Sequence, residues 1–304
     1  MMQLGFIGLG KMGKNMALRL LAKKHKVVAW NRSPKPLKEV TTKGAKGADS
    51  IPDLCKKLKS PRVVWIMVTA GAPVDEIIEQ IAPNLDRGDL IIDGGNSKFH
   101  DSVKRYNRLK ARGIKFMDIG TSGGLAAAKT GYCFMAGGDA DAFKRIKPAL
   151  IDMAVPDGYM HCGPAGAGHY VKMVHNAVEY GMMQAIGEGF EMLEKGSYPK
   201  VDLAKVAELW NHGSINRGFL MELMAEALKK DKKLAGLNGY VDDSGEGRWS
   251  AIEAVERGIP FVANTYALHA RFASRQKESF AMKCLAALRN EFGGHDVKRK
   301  KTSR

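Results

Sequence analysis

The chain begins with a glycine pattern that constrains the fold of its first half. Gly8, Gly10 and Gly13 form a Gly-x-Gly-x-x-Gly motif between a short apolar run and a segment with helical apolar spacing. Strand, glycine turn and helix in this order are the context that a dinucleotide-binding fingerprint requires. The glycines would allow a tight turn and close backbone approach to a pyrophosphate, which the helix N-terminus then binds. The alternative interpretation is a purely structural glycine turn.

A second apolar run, residues 26–30, ends in Asn31, Arg32 and Ser33. An enzyme that selects NAD usually has Asp or Glu at this point, where the carboxylate binds the ribose hydroxyls. No acid is found here, and the guanidinium of Arg32 with the hydroxyl of Ser33 suits a 2′-phosphate instead. The sequence therefore predicts NADP, with NAD the less favoured coenzyme. If Arg32 only faces solvent, the choice of coenzyme stays open.

A chain of 304 residues exceeds the usual size of a single core, so two domains are expected. In the first part, apolar runs alternate with helical patterns, which predicts a parallel sheet with helices on both faces. The runs lie at 63–68, 90–93 and 115–119, and the helical patterns at 74–85 and 99–112.

The character of the chain changes after residues 163–168, where one long helical pattern over 170–195 is followed by further helices. We therefore predict an α/β chain with an N-terminal doubly wound, Rossmann-type domain and an all-α C-terminal domain. The predicted bounds are 1–165 for the first domain, 166–296 for the second, and 297–304 for a basic, disordered tail.

The composition is that of a globular protein, with 45% hydrophobic and 26% charged residues. The net charge of +16 raises nucleic-acid binding as an alternative function. Aromatic residues are not interleaved with the basic ones, however, as a stacking surface for bases would require. We instead expect an anionic small substrate, a phosphorylated coenzyme and no nucleic-acid partner.

No segment of the sequence predicts membrane insertion or secretion. The longest nearly uninterrupted apolar run, residues 63–74, is too short for a bilayer and contains Gly and Pro. The N-terminus passes directly into the glycine motif, so we expect no secretory signal. The four cysteines are scattered, which indicates neither a zinc site nor a disulfide framework. We expect a cytoplasmic protein without a metal.

Two glycine-rich loops bear short polar side chains after predicted strands. Asn96 and Ser97 stand in the loop that follows residues 90–93, and Ser122, Gly123 and Gly124 in the loop 118–124. In doubly wound folds ligands collect at the carboxyl ends of the strands, so both loops are expected to face the binding crevice. Simple turns are the alternative.

Helical spacing places several reactive side chains on one face of the segment 172–180. His175, Asn176 and Glu179 follow Lys172 by the offsets of three, four and seven residues that share a helix face, and Tyr180 follows Asn176 by four. This combination of amine, imidazole, carboxylate and phenol can carry acid–base chemistry. The alternative is a solvated surface with paired Lys and Glu.

Several segments of the sequence together resemble a known family. Besides the glycine motif, the segments that carry the resemblance are Ile91-Ile-Asp-Gly-Gly-Asn96-Ser97, Ser122-Gly-Gly124, Gly166-Ala-Gly-His-Tyr-Val-Lys172-Met-Val-His175-Asn176-Ala-Val-Glu179-Tyr180 and Glu291-Phe-Gly-Gly-His295. Together they are similar to decarboxylating 6-phosphogluconate dehydrogenase, in a short form with a reduced C-terminal helical region. Sister β-hydroxyacid dehydrogenases share the lysine and asparagine without the full set.

The resemblance implies a reaction without a metal. Lys172 would be the general base that takes the proton of the substrate's 3-hydroxyl while hydride leaves C3 for NADP. The β-keto acid would then lose CO₂, helped by the protonated Lys172. Glu179 would deliver a proton to C1 of the enediol, which yields ribulose 5-phosphate, as in the pentose phosphate pathway and gluconate utilisation.

The resemblance also implies binding residues. Met12 and Asn96 would contact the coenzyme beside the glycines. The carboxylate and hydroxyls of 6-phosphogluconate would be positioned by Asn96, Ser122, Gly123, Gly124, His175 and Asn176. Its phosphate would meet Tyr180, Arg248, Arg271, Arg289 and His295. In this family the last two come from the partner subunit, so a homo-oligomer, dimer or tetramer, with a shared active site is expected.

One position departs from the family pattern, because Arg248 stands where long-form relatives carry Lys. Two other functions stay open. A β-hydroxyacid dehydrogenase acting on a small unphosphorylated acid would not need the arginines or His295. A noncatalytic dinucleotide-binding protein would leave Lys172 and Glu179 without a role.

Overall fold

The computed structural model describes residues 1–299. The chain divides into two compact units, the first over Met1–Asn176 and the second beginning at Ala177. Part of the predicted basic tail, residues 300–304, lies outside the described residues.

The first unit contains one eight-stranded sheet with the order β3-β2-β1-β4-β5-β6-β7-β8. The strands are β1 Gln3–Ile7, β2 Lys26–Trp30, β3 Lys46–Gly47, β4 Val63–Ile66, β5 Leu90–Asp93, β6 Lys115–Ser122, β7 Tyr132–Gly138 and β8 Ala154–Gly163. The strands from β3 to β6 are all parallel, as predicted.

The sheet departs from the predicted pattern at β6 and β7. β6 was expected to end at residue 119 and to be followed by a loop, but it continues to Ser122. The reason is that β7 pairs with it antiparallel from Met117 to Ser122. Only residues 123–131 connect the two strands, too few for the crossover that a parallel neighbour needs. β8 then returns parallel to β7.

Helices cover both faces of this sheet. They are α1 Lys11–Ala22, α2 Pro34–Thr41, α3 Ile51–Lys56, α4 Ala72–Ile81, α5 Phe99–Lys110, α6 Ala127–Thr130 and α7 Ala140–Met153, with a 3₁₀ turn at Ala82–Asn84. One apolar core lies between the sheet and α1, α2 and α7, and a second lies between the sheet and α3, α4 and α5. Two cores on opposite faces confirm the doubly wound class predicted from the sequence.

The second unit is helical. Its helices are the latter part of α8 Ala167–Lys195, then α9 Leu203–Asn211, α10 Phe219–Lys230, α11 Glu246–Arg257, α12 Val262–Ser274 and α13 Phe280–Gly293. A small core of α8, α9 and α10 side chains is centred on Phe190, Ala207 and Met221. From Ala177 to residue 299 the structure describes no strand, as predicted. The predicted domain bounds stay a prediction, because α8 runs through the junction of the two units.

Two further features concern the described helices. None of those in residues 1–299 is both long and apolar enough to span a membrane. In α13, every side chain that the structure describes is exposed apart from Asn290, which is half-buried.

Candidate active site

The glycine motif has the shape that a dinucleotide pyrophosphate requires. Gly8 has a φ of +93°, and a Cβ there would lie 2.3 Å from the carbonyl oxygen of Met67. A Cβ at Gly13 would lie 2.1 Å from the carbonyl oxygen of Gly8, so both positions need glycine. Gly10 instead faces open space, where a ligand can approach the backbone. As the N-cap of α1 it has no side chain, so the first-turn N–H groups are presented to phosphate.

Asn31 joins the end of β2 to this turn. Its Oδ1 accepts a hydrogen bond from Leu9 N at 2.8 Å, and its Nδ2 donates to Ser33 O at 2.9 Å. Arg32 and Ser33 are exposed directly beside it. The side chain of Asn31 therefore shapes the loop, while Arg32 and Ser33 are accessible to a ligand at this position. Their predicted contact with a 2′-phosphate stays a prediction.

The loop that carries Asn96 is held by buried groups. Asp93, at the end of β5, is fully buried and accepts hydrogen bonds from Ser97 Oγ at 2.7 Å and Gly95 N at 3.2 Å. Asn96 itself is exposed at the carboxyl end of the strand. Asp93 thus fixes the loop backbone through these hydrogen bonds, while the amide of Asn96 is available to a ligand.

Sequence reasoning missed Arg105, which neutralises Asp93. Its side chain on α5 is 2% exposed, and Nη1 donates to Asp93 Oδ2 at 3.1 Å and to Ser97 Oγ at 3.2 Å. Nε and Nη2 donate to Asp75, and this hydrogen bonding holds the pKa of Asp75 below its usual range. No local signal distinguished this arginine from the basic residues around it, since its burial depends on α4 and β5.

The lysine predicted as general base is buried. Lys172 is 6% exposed and Asn176 is 7% exposed, whereas a solvated helix face would leave both in water. Lys172 Nζ lies 3.4 Å from His175 Nδ1, and His175 Nε2 lies 3.1 Å from Ser122 Oγ. Asn176 Oδ1 is 3.2 Å from the same Nδ1. The first unit therefore brings together four of the predicted site residues in one polar chain.

The glycines after Ser122 shape the backbone beside this chain. Gly123 and Gly124 have φ values of +118° and +57°, which favour glycine over other residues. At these two glycines the chain leaves β6, directly after Ser122, which contacts His175. Ser122 is the last residue of β6 and lies four residues beyond Asp118, which is paired with Asp93 at the end of β5.

In the second unit, Tyr180 and Arg271 are in contact. The Tyr180 ring is buried, and the Arg271 guanidinium lies 3.6 Å from its centroid. Tyr180 Oη accepts a hydrogen bond from Ser244 N at 3.0 Å and lies 3.2 Å from Ser244 Oγ. Arg271 Nη1 donates to Asp242 O at 2.7 Å. Glu179, the neighbour of Tyr180 on α8, is half-buried.

Arg248 belongs to the same unit and is tied to Asp243. Its Nε and Nη2 donate to the two carboxylate oxygens of Asp243 at 2.7 and 2.9 Å. Arg275 Nη2 donates to Asp243 as well, at 2.9 Å. The Arg248 hydrogen bond, with help from Arg275, lowers the pKa of Asp243 to about 2. Both guanidinium groups also lie over the Phe272 ring.

Sequence reasoning missed Arg275, Ser244 and Asp243. The only signal for Arg275 was its spacing of four residues from Arg271, which places the two on one side of a helical segment. Arg289 and His295 lie at the end of the exposed helix α13, and both are exposed. Their predicted role at a neighbouring phosphate site stays a prediction.

Comparison with known proteins agrees with this geometry. Residues 3–163 match the NAD binding domain of 6-phosphogluconate dehydrogenase, and residues 168–303 match the 6-phosphogluconate dehydrogenase C-terminal domain. A Haloferax volcanii relative, named as an NAD(+)-dependent, decarboxylating 6-phosphogluconate dehydrogenase, is 42% identical over 98% of this chain and 99% of its own. Decarboxylating 6-phosphogluconate dehydrogenase 1 of Saccharomyces cerevisiae is 40% identical over 94% of this chain but only 59% of the yeast enzyme.

A solved structure resembles the whole chain. Plasmodium falciparum 6-phosphogluconate dehydrogenase superposes with a TM-score of 0.83 at 31% identity, over 99% of this chain and 67% of that one. Its published description names NADP+ as its cofactor and 6-phosphogluconate as its substrate. The chain thus belongs to the 6-phosphogluconate dehydrogenase family.

Proposed function

We propose that this protein catalyses the oxidative decarboxylation of 6-phosphogluconate to ribulose 5-phosphate and CO₂, with reduction of NADP. The observation that carries the proposal is the buried amine of Lys172, which lies against His175 in the unit that also holds the glycine motif. Lysine is almost never fully buried unless it is paired, and a buried amine among polar groups suits proton transfer.

Each proton in the reaction is assigned to a residue of this chain. The acceptor for the hydride from C3 of the substrate would be supplied by NADP when it is bound. Lys172 Nζ takes the proton of the 3-hydroxyl and afterwards donates a hydrogen bond to the ketone oxygen, which stabilises the charge that develops there as CO₂ leaves. Ser122 and Asn176 contact the His175 ring and keep it beside Nζ. Glu179 supplies the proton to C1.

The phosphate end of the substrate is assigned to the second unit, at Tyr180, Arg271 and Arg248. Arg271 uses one N–H for Asp242 O and another for Met183 Sδ, and Arg248 uses two for Asp243. A guanidinium has five N–H donors, so these bonds leave others that can fork onto phosphate oxygens. Asp243 keeps Arg248 and Arg275 close together, which concentrates positive charge for a dianionic group.

NADP is the proposed coenzyme, because Arg32 and Ser33 are exposed after β2 and no carboxylate stands among residues 31–33. The Plasmodium falciparum relative is described with NADP+, whereas the Haloferax volcanii relative is named NAD(+)-dependent. Since the two relatives differ, the choice for this chain depends on its own residues at this loop.

A homo-oligomer, dimer or tetramer, with a shared active site is part of the proposal. On α13, Phe280, Met282, Leu285 and Leu288 are 79%, 61%, 51% and 62% exposed. So much apolar surface on one helix is characteristic of an interface rather than of a solvated surface. Arg289 follows Leu285 by four residues, so a second copy that covers this face would receive Arg289 as well.

The test is NADPH formation from 6-phosphogluconate without added metal. Lys172→Met should abolish hydride transfer, because a general base contributes ~10²–10⁴-fold in rate. Glu179→Gln should still allow oxidation in a single turnover but should slow release of ribulose 5-phosphate. Lys195→Met and Glu188→Gln are matched controls on the exposed part of the same helix, and both should behave as wild type.

Three outcomes would contradict the proposal. Near-normal NADPH formation by Lys172→Met would assign the lysine to packing. Turnover of an unphosphorylated hydroxy acid in preference to 6-phosphogluconate would favour the β-hydroxyacid dehydrogenase alternative. Binding of the coenzyme without turnover of either acid would favour a noncatalytic protein.

A further inference from the structure

One face of strand β6 contacts the helix that carries Lys172 along three successive turns. Asp118, Gly120 and Ser122 are alternate residues of β6 and therefore point to the same side of the sheet. Asp118 contacts the start of α8, Gly120 faces Lys172, and Ser122 contacts His175. We call these three residues the β6 seat.

The first contact of the β6 seat is a buried carboxylate at the helix N-terminus. Asp118 is fully buried, and its Oδ1 accepts a hydrogen bond from Gly166 N at 2.7 Å. Its Oδ2 accepts from His169 N at 2.8 Å. α8 begins at Ala167, so these are the N–H groups just before the helix and at its third residue. One carboxylate from a distant strand thus satisfies the two N–H groups that a capping box usually pairs locally.

Gly166 cannot cap the helix itself, because it has no side chain. Its φ is +95°, and a Cβ there would lie 2.7 Å from Val103 Cγ2, so a capping Ser or Asp would not fit. The helix N-terminus therefore depends on Asp118 for a negatively charged partner. A carboxylate at this place also interacts favourably with the helix dipole.

The second contact brings backbone against backbone. A Cβ at Gly120 would lie 2.3 Å from Lys172 Cβ. A Cβ at Gly168 would lie 2.4 Å from Asp118 O and 2.5 Å from Met135 O. The first turns of α8 are therefore in van der Waals contact with β6 and β7, and the side chain of Lys172 starts directly above Gly120.

The spacing along the strand matches the spacing along the helix. From Asp118 to Ser122 a strand rises about 13 Å. From the capped first turn of α8 to His175 a helix rises about 11 to 13 Å. The two elements can therefore be in register at both ends, with Lys172 between them. If the N-terminal end of α8 shifted along β6, Lys172 would move relative to the β6 seat.

We propose that Asp118 is a positioning residue, which together with Gly120 sets the place of Lys172 relative to the sheet edge where substrate and coenzyme meet. This role rests on the proposed function of Lys172. Asp118 has no part in proton transfer; it acts by holding the helix N-terminus. A displacement of about 1 Å at a reacting group can cost about 10²-fold in rate, so the seat affects turnover more than binding.

The test compares Asp118→Asn with Asp89→Asn. Asp89 is also fully buried and also accepts hydrogen bonds from two backbone N–H groups, of Arg62 and Asp86, but it precedes β5 at the opposite end of the strand. Both variants should lower the urea midpoint. Only Asp118→Asn should lower kcat, by about 10- to 100-fold, with coenzyme binding and the KM for 6-phosphogluconate little changed.

Hydrogen exchange gives a readout that does not depend on the reaction. The amides at the start of α8 should exchange faster in Asp118→Asn and at the wild-type rate in Asp89→Asn. Equal kcat in Asp118→Asn and Asp89→Asn, in a wild type that turns over, would overturn the proposal. A wild type without turnover would instead contradict the proposed function. The positioning role of Asp118 would still be tested in that case, because unchanged hydrogen exchange at the start of α8 in Asp118→Asn would overturn it.

If Asp118→Asn does not fold, Gly120→Ala tests the same seat. Its added methyl group would force the helix away from β6 at Lys172. Gly158→Ala on β8 is the control, since its methyl group would also be crowded, at 2.6 Å from Val155 Cγ2. We expect a kcat loss in Gly120→Ala only. A normal kcat in Gly120→Ala would overturn the proposal.

Discussion

Replacing Asp243 by Asn should destabilise the second unit in a pH-dependent manner. The Asp243 side chain is 1% exposed and accepts hydrogen bonds from Arg248 and Arg275. These bonds, chiefly that of Arg248, lower its pKa from its usual value near 3.8 to about 2. Because the folded pKa lies below the unfolded one, the stabilisation is complete above about pH 4 and is lost as the pH falls through about 2.

The difference between the two pKa values sets the size of the effect. It corresponds to about 2 kcal/mol of folding free energy at pH 7, and to about half of that at pH 3. Hydrogen bonds to a charged group contribute about 1.5 to 3 kcal/mol in general, which agrees with this figure. The cost of Asp243→Asn should therefore shrink as the solution is acidified.

The measurement is urea unfolding at pH 7 and at pH 3, followed by far-UV circular dichroism. Asp242→Asn is the matched control, since Asp242 is the neighbouring residue, 77% exposed and 3.8 Å from Arg275. An exposed pair of this kind contributes at most about 1 kcal/mol. An equal cost for the two variants, or the same cost of Asp243→Asn at both pH values, would refute the assigned role of the buried carboxylate.

Two further predictions concern the coenzyme and the assembly. Arg32→Ala should weaken NADP binding and spare NAD, and equal losses for both coenzymes in titrations would show that Arg32 does not read the 2′-phosphate. Arg289→Ala and Lys172→Met subunits should each be nearly inactive, but mixing them should restore activity, because one hybrid site then has both residues intact. Absence of recovery in mixtures shown by mass measurement to contain hetero-oligomers would exclude a shared site.

The sequence predicted those parts of the fold that depend on local pattern. The glycine motif and the apolar runs led to β1, β2, β4 and β5, because buried parallel strands are nearly continuous apolar segments. β3 is only two residues long, too short to leave a pattern. β8 lies at the edge of the sheet and alternates poorly, with one buried residue among ten, so its sequence resembles a loop.

The residues of the candidate site also fall into those that local spacing predicts and those that depend on distant segments. The spacing of Lys172, His175 and Asn176 was enough to place them on one helix face, since the helix period is local. The burial of Arg105 and Asp118 could not be predicted, because each is surrounded by segments far away in sequence. A polar residue in a helix or strand has the same appearance in sequence whether it faces solvent or is buried against a distant segment.

Asp93 and Asp118 show how the fold positions the segments of the proposed site. They are paired in register on the neighbouring strands β5 and β6, and both are fully buried. Two adjacent buried carboxylates would be strongly unfavourable without compensation. Asp93 is neutralised by Arg105 and holds the Asn96 loop, whereas Asp118 is satisfied by two N–H groups at the start of α8. The contacts that compensate the charge of each carboxylate are therefore the same contacts that fix a segment of the proposed site. Loss of either carboxylate should disturb the site as well as the fold.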